Sequence, residues 1–427
     1  MILAILFLGT LVLLITGVPI FAGLAISAIV ASVLETGSIQ GLADIFVGEI
    51  DSYLLVAIPL FALMANIMVR TNVVDDLFRF ADVLTRHLPG GLGIATILSC
   101  TIFAAISGSS VATALTIGSV AVPQMRRYGY STSRAAGTVA GGGTLGILIP
   151  PSGPMILYAV VSNASIGALF IAGILPGLLL AAIFAIYVAL SSWRSDDEQV
   201  RPMARPGEVY AAARAALGPL LLPIAVLGGI YSGLFTVTEA AAVGVVGAMA
   251  IAFFVYRSLT WRILYESALG AAMTATMILM IVAASSLFSH VLTIARLPNQ
   301  VLDFVADLGL SATPFLLAVM AVIFILGMFL EAVAIILITT PIVLPVLIAL
   351  DVDLIWYGIL LVINLELAML TPPVGLNLFV LKATTRAPLK TIIRGALPYI
   401  VILFLFLGAM LLFPGLATFL PRTAGYS

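Results

Sequence analysis

Two pairs of adjacent prolines, Pro150-Pro151 and Pro372-Pro373, each interrupt an apolar run that otherwise reads as a membrane helix. Each proline removes a backbone donor, and the pair forces the preceding residue out of helical geometry, so the helix breaks there. In hydrocarbon the carbonyls left without partners cost several kcal/mol each unless protein, water or an ion satisfies them. The carbonyls freed around the first break are those of Gly146, Ile149 and Pro151; around the second they are those of Ala368, Thr371 and Pro373. Ser107-Gly108-Ser109-Ser110 interrupts another apolar run, with three hydroxyls beside a glycine that permits close backbone approach. Hard alkali cations take several oxygen ligands, and carbonyls beside hydroxyls provide them without net charge. The other use of such serines is close helix packing in a bilayer.

Glu331 and Glu366 are the acidic residues deep in apolar sequence. A carboxylate at that depth costs at least about 2.5 kcal/mol and marks a functional position by default, or a structural hydrogen bond that locks one segment to its neighbour. Asn364 and Asn377 flank the second break and either face a solute or tie helices. Lys382 is a membrane-surface anchor or the partner of an anionic solute, and Glu239, near an interface, reads as a snorkelling or capping residue.

The two proline pairs lie 222 residues apart, and the same offset aligns Pro123 with Pro345, Gly153 with Gly375, Gly173 with Gly395 and Pro176 with Pro398. Prolines and glycines in register without a gap identify an internal duplication. The offset sets Glu331 opposite Ser109 and Glu366 opposite Thr144. Interrupted hydrophobic segments at corresponding places in two halves point to the binding site of a secondary transporter.

The elements that must hold these residues follow from composition. With 63% hydrophobic and 9% charged residues in 427, and a mean hydropathy of +1.26, the chain is an integral membrane protein. Continuous apolar runs predict helices, not the alternating strands of a barrel. The single cysteine, Cys100, excludes an internal disulfide and a cysteine metal cluster. The first residues lack a basic start and a cleavage site, so they are expected to stay as a helix.

The first repeat is expected over residues 1–192, with a re-entrant hairpin at 90–125 and a broken helix at 131–163. A hydrophilic linker at 193–207 separates it from the second repeat at 208–427, with a hairpin at 312–349, its tip near Gly327 to Glu331, and a broken helix at 353–384. Residues 71–87 and 296–309 have the periodicity of helices lying along the membrane surface. Residues 2–34 hold Gly17-Val18-Pro19 at their centre; the duplication favours two short helices there, giving ten spans and two hairpins. That topology places sixteen Lys and Arg residues on one side and only Arg296 and Arg422 on the other, which makes the first side cytoplasmic. Five spans per repeat invert the second copy, so the two hairpins enter from opposite faces and their tips meet near the midplane, as alternating access requires.

Enzymatic readings lack their parts. His87 and His290 sit in no zinc-binding pattern, no acid pair or serine–histidine arrangement lies in a span, and no phosphate-binding glycine loop occurs. An ion gradient is the remaining source of energy.

Ser107-Gly108-Ser109-Ser110-Val111-Ala112-Thr113, Gly146-Ile147-Leu148-Ile149-Pro150-Pro151-Ser152, Phe329-Leu330-Glu331 and Thr371-Pro372-Pro373-Val374-Gly375-Leu376-Asn377 together resemble the large membrane subunit of tripartite ATP-independent periplasmic (TRAP) transporters, over essentially the whole chain. The resemblance implies an elevator-type, all-α sodium symporter with inverted repeats in a bacterial inner membrane. It implies a small four-helix membrane subunit and a soluble periplasmic binding protein as partners, and an organic anion, a C4-dicarboxylate or a sialic acid, as solute; nucleic acid is not a partner. It places sodium between each hairpin tip and the neighbouring broken helix. The expected sodium ligands are Ser107, Ser109, Ser110, Gly146, Ile149 and Pro151 in one repeat, and Gly327, Glu331, Ala368, Thr371 and Pro373 in the other. The solute is expected at Ser110, Thr144, Ser152, Glu366 and Asn377, with hairpins and broken helices moving as one body and the remaining spans fixed. The competing readings are a stand-alone divalent-anion symporter or exchanger that needs no binding protein, and a membrane scaffold or channel subunit whose flux ignores the sodium gradient.

Overall fold

A computed structural model describes residues 6, 9–10, 12–13, 16–71, 73–193 and 200–426, and every regular element among them is helical. The first repeat contains α1 (Ile20–Thr36), α2 (Leu42–Ile50), α3 (Ala57–Val69), α4 (Val73–Thr85), α5 (Gly91–Ser107), α6 (Ser110–Arg127), α7 (Thr132–Gly143), α8 (Leu145–Leu148), α9 (Gly153–Ser162) and α10 (Ile166–Ser192). The second contains α11 (Pro206–Tyr231), α12 (Val237–Ala250), α13 (Trp261–Ile294), α14 (Leu297–Asp307), α15 (Ala312–Gly327), α16 (Ala332–Ala349), α17 (Leu354–Leu370), α18 (Leu376–Thr385), α19 (Leu389–Leu412) and α20 (Gly415–Thr423). The offset of 222 carries α6 onto α16 and the span of α7 and α8 onto α17 to the residue. Both Pro-Pro bonds at the breaks are cis.

Among the described residues, seven helices are long and apolar enough to cross a membrane, or eight if the bent pair Leu42–Ile50 and Tyr53–Val69 forms one span. The expected ten include α1 and α17, which are shorter apolar helices, while α16 passes on length although it is a hairpin arm. Residues 16–19 leave helical geometry before α1, with Gly17 at φ +84°, as the two-helix reading of 2–34 requires; much of the first of those helices lies outside the described residues. The acidic segment after α1 forms α2, and α20 closes the chain; neither has an apolar run that marks it in the sequence.

Side-chain bonds fix which ends share a face. On the arginine-rich face, Arg70 pairs with Glu266 at 2.6 Å, Arg86 with Glu208 at 2.5 Å, and Arg201 with Asp82. There too Ser133 donates to the Thr391 carbonyl at 2.9 Å, and Arg134 reaches Ser191 and Ser192 at 2.7 and 2.9 Å. On the opposite face Tyr158 donates to the Leu354 carbonyl at 2.7 Å and the Trp356 indole to that of Met410 at 2.9 Å. The first broken helix therefore starts on the arginine-rich face, where Ser133 lies, and leaves on the other past Tyr158. The second starts beside Tyr158 and ends at Thr384 and Thr385, which share a cavity with Arg126 and Arg127. The repeats are inverted.

Candidate functional site

The first hairpin turns at Gly108, which caps α5 in the left-handed region at φ +59°. Ser109 then caps α6, its hydroxyl accepting from the Ala112 N–H at 3.3 Å, while the Ser107 and Thr113 hydroxyls pair at 2.9 Å. Those bonds hold the tip as a closed turn at the end of two short helices. The tip lies directly on the first broken helix. A Cβ built on Gly146 would stand 2.5 Å from the Ser109 carbonyl oxygen and 2.6 Å from Ser110 Cα, and one built on Gly108 would stand 2.5 Å from the Pro151 carbonyl oxygen. Only glycine allows these approaches.

The prolines account for the oxygens there. The Gly146 carbonyl would accept from residue 150 in an unbroken helix, and proline has no N–H to give. Ile149 leaves the helix in extended geometry, its N–H bonded back to the Leu145 carbonyl at 3.0 Å. Ser109 and Pro151 turn their carbonyls toward the glycines of the facing segment. The expected ligands Ser107, Ser109, Ser110, Gly146 and Pro151 are thus brought together. The Ile149 side chain packs against Gly177.

The second hairpin repeats the arrangement with a difference. A Cβ on Gly327 would lie 2.6 Å from that of Ala368, so this tip also rests on its own broken helix. The Ala368 carbonyl, however, accepts the Thr371 N–H at 3.0 Å, and the Thr371 hydroxyl donates to the Leu367 carbonyl at 2.6 Å. The last turn closes more tightly here: the Thr371 N–H goes to Ala368, whereas at the corresponding place the Ile149 N–H goes to Leu145, one residue further back. Asn364 ties helices, its amide donating to the Met320 carbonyl at 2.8 Å.

A cavity of about 180 Å³ lies between the tips. Ser107 to Val111 and Pro151 border it from the first repeat, Glu331 to Val333 and Met369 from the second. Ile58, Phe61 and Ala62 of α3 and Thr274, Met277 and Ile278 of α13 close the other side. Those six residues are absent from the expectations, because apolar side chains in an uninterrupted span carry no signature.

Of the residues expected to hold solute, Ser110 borders this cavity, whereas Thr144, Ser152, Glu366 and Asn377 stand behind its wall, fully or almost fully buried. Thr144 donates to the Gly141 carbonyl at 2.6 Å, and Ser152 caps α9. The Ser110 hydroxyl bonds Glu366 across the repeats, leaving Glu366 Oε2 and both polar atoms of the Asn377 amide without partners among the described residues. The offset equates positions in the two copies, but it does not tell which helix face looks into the space between them.

Inverted repeats, re-entrant hairpins and broken helices around a midplane cavity define a secondary transporter. A family profile, "Tripartite ATP-independent periplasmic transporter, DctM component", matches residues 7–416, and the chain belongs to that family of large TRAP permeases. It is 43% identical over 390 residues, 91% of each chain, to the C4-dicarboxylate TRAP transporter large permease DctM of Pseudomonas aeruginosa. It is 37% identical over 395 residues to the isethionate TRAP permease DctMQ of Oleidesulfovibrio alaskensis, covering 91% of this chain and 62% of that one. The crystal structure of the YdaH transporter of Alcanivorax borkumensis shares the fold, with a TM-score of 0.63 at 13% identity over 90% of both chains.

Proposed function

We propose that this chain carries a short organic dianion, of C4-dicarboxylate type, inward across a bacterial inner membrane in symport with sodium. It acts as the large permease beside a small four-helix membrane subunit and a periplasmic binding protein. One observation supports the reading: both tips border one cavity, and the first tip sets a carbonyl oxygen and serine hydroxyls against a broken helix. Sodium is assigned to that oxygen cluster, around Ser107, Ser109, Ser110, Gly146 and Pro151, and to the corresponding place at Gly327, Glu331, Thr371 and Pro373. The cavity volume, about 180 Å³, is below the roughly 300–1,000 Å³ of sites for drug-sized ligands. A short dicarboxylate suits it better than a sialic acid, and the name of the Pseudomonas aeruginosa relative agrees.

The moving body comprises both hairpins and both broken helices; α1, α3 and α11 to α13 are fixed. The spans α10 and α19, expected among the fixed ones, go with the moving body, because Arg134, Ser133 and Thr138 on α7 bond to Ser191, Ser192, Thr391 and Tyr399 on them. Proteoliposomes containing the permease, its small subunit and the binding protein test the proposal. Sodium-gradient-driven uptake of succinate, abolished by Pro150→Ala/Pro151→Ala, is expected. Uptake by the large chain alone would favour a stand-alone symporter, and flux indifferent to the sodium gradient would overturn the coupling.

A further inference from the structure

Helix α13 presents Ser285, Ser289 and Thr293 at intervals of four residues to a cavity of about 530 Å³ on the face opposite the arginines. That spacing is one helical turn, about 6 Å of rise per step. Across the cavity stands α16, the returning arm of the second hairpin, with Leu337, Pro341 and Pro345 on the lining. The Leu337 carbonyl would accept from residue 341 within an ordinary helix, and Pro341 has no N–H to offer. The buried hydroxyl of Ser285 takes that carbonyl instead, at 2.6 Å. Ser289, one turn further toward the outer face, has no hydrogen-bond partner for its hydroxyl among the described residues.

We infer that Ser285 is a positioning residue for transport: it latches the carbonyl that Pro341 frees on the moving hairpin to the fixed helix α13, and Ser289 is the next notch. Resting on the moving-body reading above, the inference adds a register to it. The second tip lies level with Thr274 to Ile278, near the middle of α13, and a displacement of the hairpin toward the outer face carries Leu337 from Ser285 to Ser289. A freed carbonyl in the membrane needs a donor at every stop, so the rests of the hairpin coincide with hydroxyls. The carbonyl is exposed to the cavity between stops, where water satisfies it in passing.

The test uses the full chain with its small subunit in lipid nanodiscs, with Cys100→Ala and nitroxide labels on Asp44→Cys of α2, which packs on α13, and Ala349→Cys at the end of α16. Both labelled positions are exposed. Wild type is expected to give two label distances whose ratio responds to sodium and succinate. Ser285→Ala removes one ordinary hydrogen bond from the conformation described here and shifts the ratio about two- to ten-fold away from it. Ser289→Ala shifts the ratio by a similar factor in the opposite sense, and Ser285→Thr restores the wild-type ratio. Two distances whose ratio neither alanine variant moves would overturn the latch and leave the moving body intact. A single distance under all conditions in a protein that still takes up succinate would overturn the moving body and the latch with it.

Discussion

Gly146→Ala puts the contact between the first hairpin and its broken helix to a direct test. The added methyl would stand 2.5 Å from the Ser109 carbonyl oxygen and 2.6 Å from Ser110 Cα, which are backbone atoms that cannot rotate away. Ordinary non-bonded separation is about 3.5 Å, so the tip must back off by roughly 1 Å. Overpacking of this kind costs about 1–3 kcal/mol. The larger effect falls on function, because a displacement of about 1 Å at a site that depends on oxygen placement lowers rates on the order of 100-fold. Initial rates of succinate uptake against sodium concentration in three-component proteoliposomes should show the apparent sodium affinity falling by that order, while the unfolding midpoint drops by only a few degrees. Gly228→Ala is the control: a Cβ there meets nothing within 4 Å, and alanine in a helix gains about 0.5–1 kcal/mol over glycine. Wild-type sodium dependence in Gly146→Ala would refute the placement of the ion between tip and break.

Three further outcomes follow from particular contacts. Glu366→Ala strands the buried Ser110 hydroxyl and should lower stability by about 1–3 kcal/mol in thermal unfolding, with Glu366→Gln, which keeps an acceptor, recovering most of it. Asn377→Leu removes two buried polar atoms that have no partners in the described conformation, so stability should hold or rise; loss of uptake alongside would assign the amide to ion or solute, and retained uptake would remove it from the site. Arg201 bonds Asp82 with both guanidinium arms, lies 4.6 Å over the Tyr128 ring, and its N–H donates to the Arg86 carbonyl at 3.2 Å. Arg201→Ala should therefore loosen the chain before α11, and cleavage by a protease of broad specificity such as subtilisin between Pro202 and Arg205 should accelerate about ten-fold while the spans stay protected.

The sequence disclosed the architecture because the two signals behind it are local and repeated. Proline pairs dictate breaks wherever they fall, and the offset that aligns them also aligns α6 with α16 and α7 with α17. Element ends were legible within a few residues where Gly108, Ser109 and Ser131 cap helices by their own chemistry. The site was legible in the hairpin tip, where hydroxyls and glycine gather in four consecutive residues. It was not legible on the wall formed by α3 and α13, since Phe61, Thr274 and Met277 belong to ordinary apolar spans. Nor could spacing alone reveal that Ser110 and Glu366, 256 residues apart, bond to each other and so turn Glu366 away from the cavity. Nor did the sequence show that the Ala368 carbonyl accepts the Thr371 N–H, because whether a carbonyl before a break finds a nearer N–H depends on how tightly the last turn closes.

The interlocking of the halves has a consequence for biogenesis. Ser110, Ser133 and Thr138 in the first half find their partners at Glu366, Thr391 and Tyr399, all in the last sixth of the chain. While the ribosome is still adding that last part, the first hairpin sits in the bilayer with its companions not yet made. Until synthesis is nearly finished the early half therefore stays an unassembled intermediate, and a truncated product should be cleared by quality control as one.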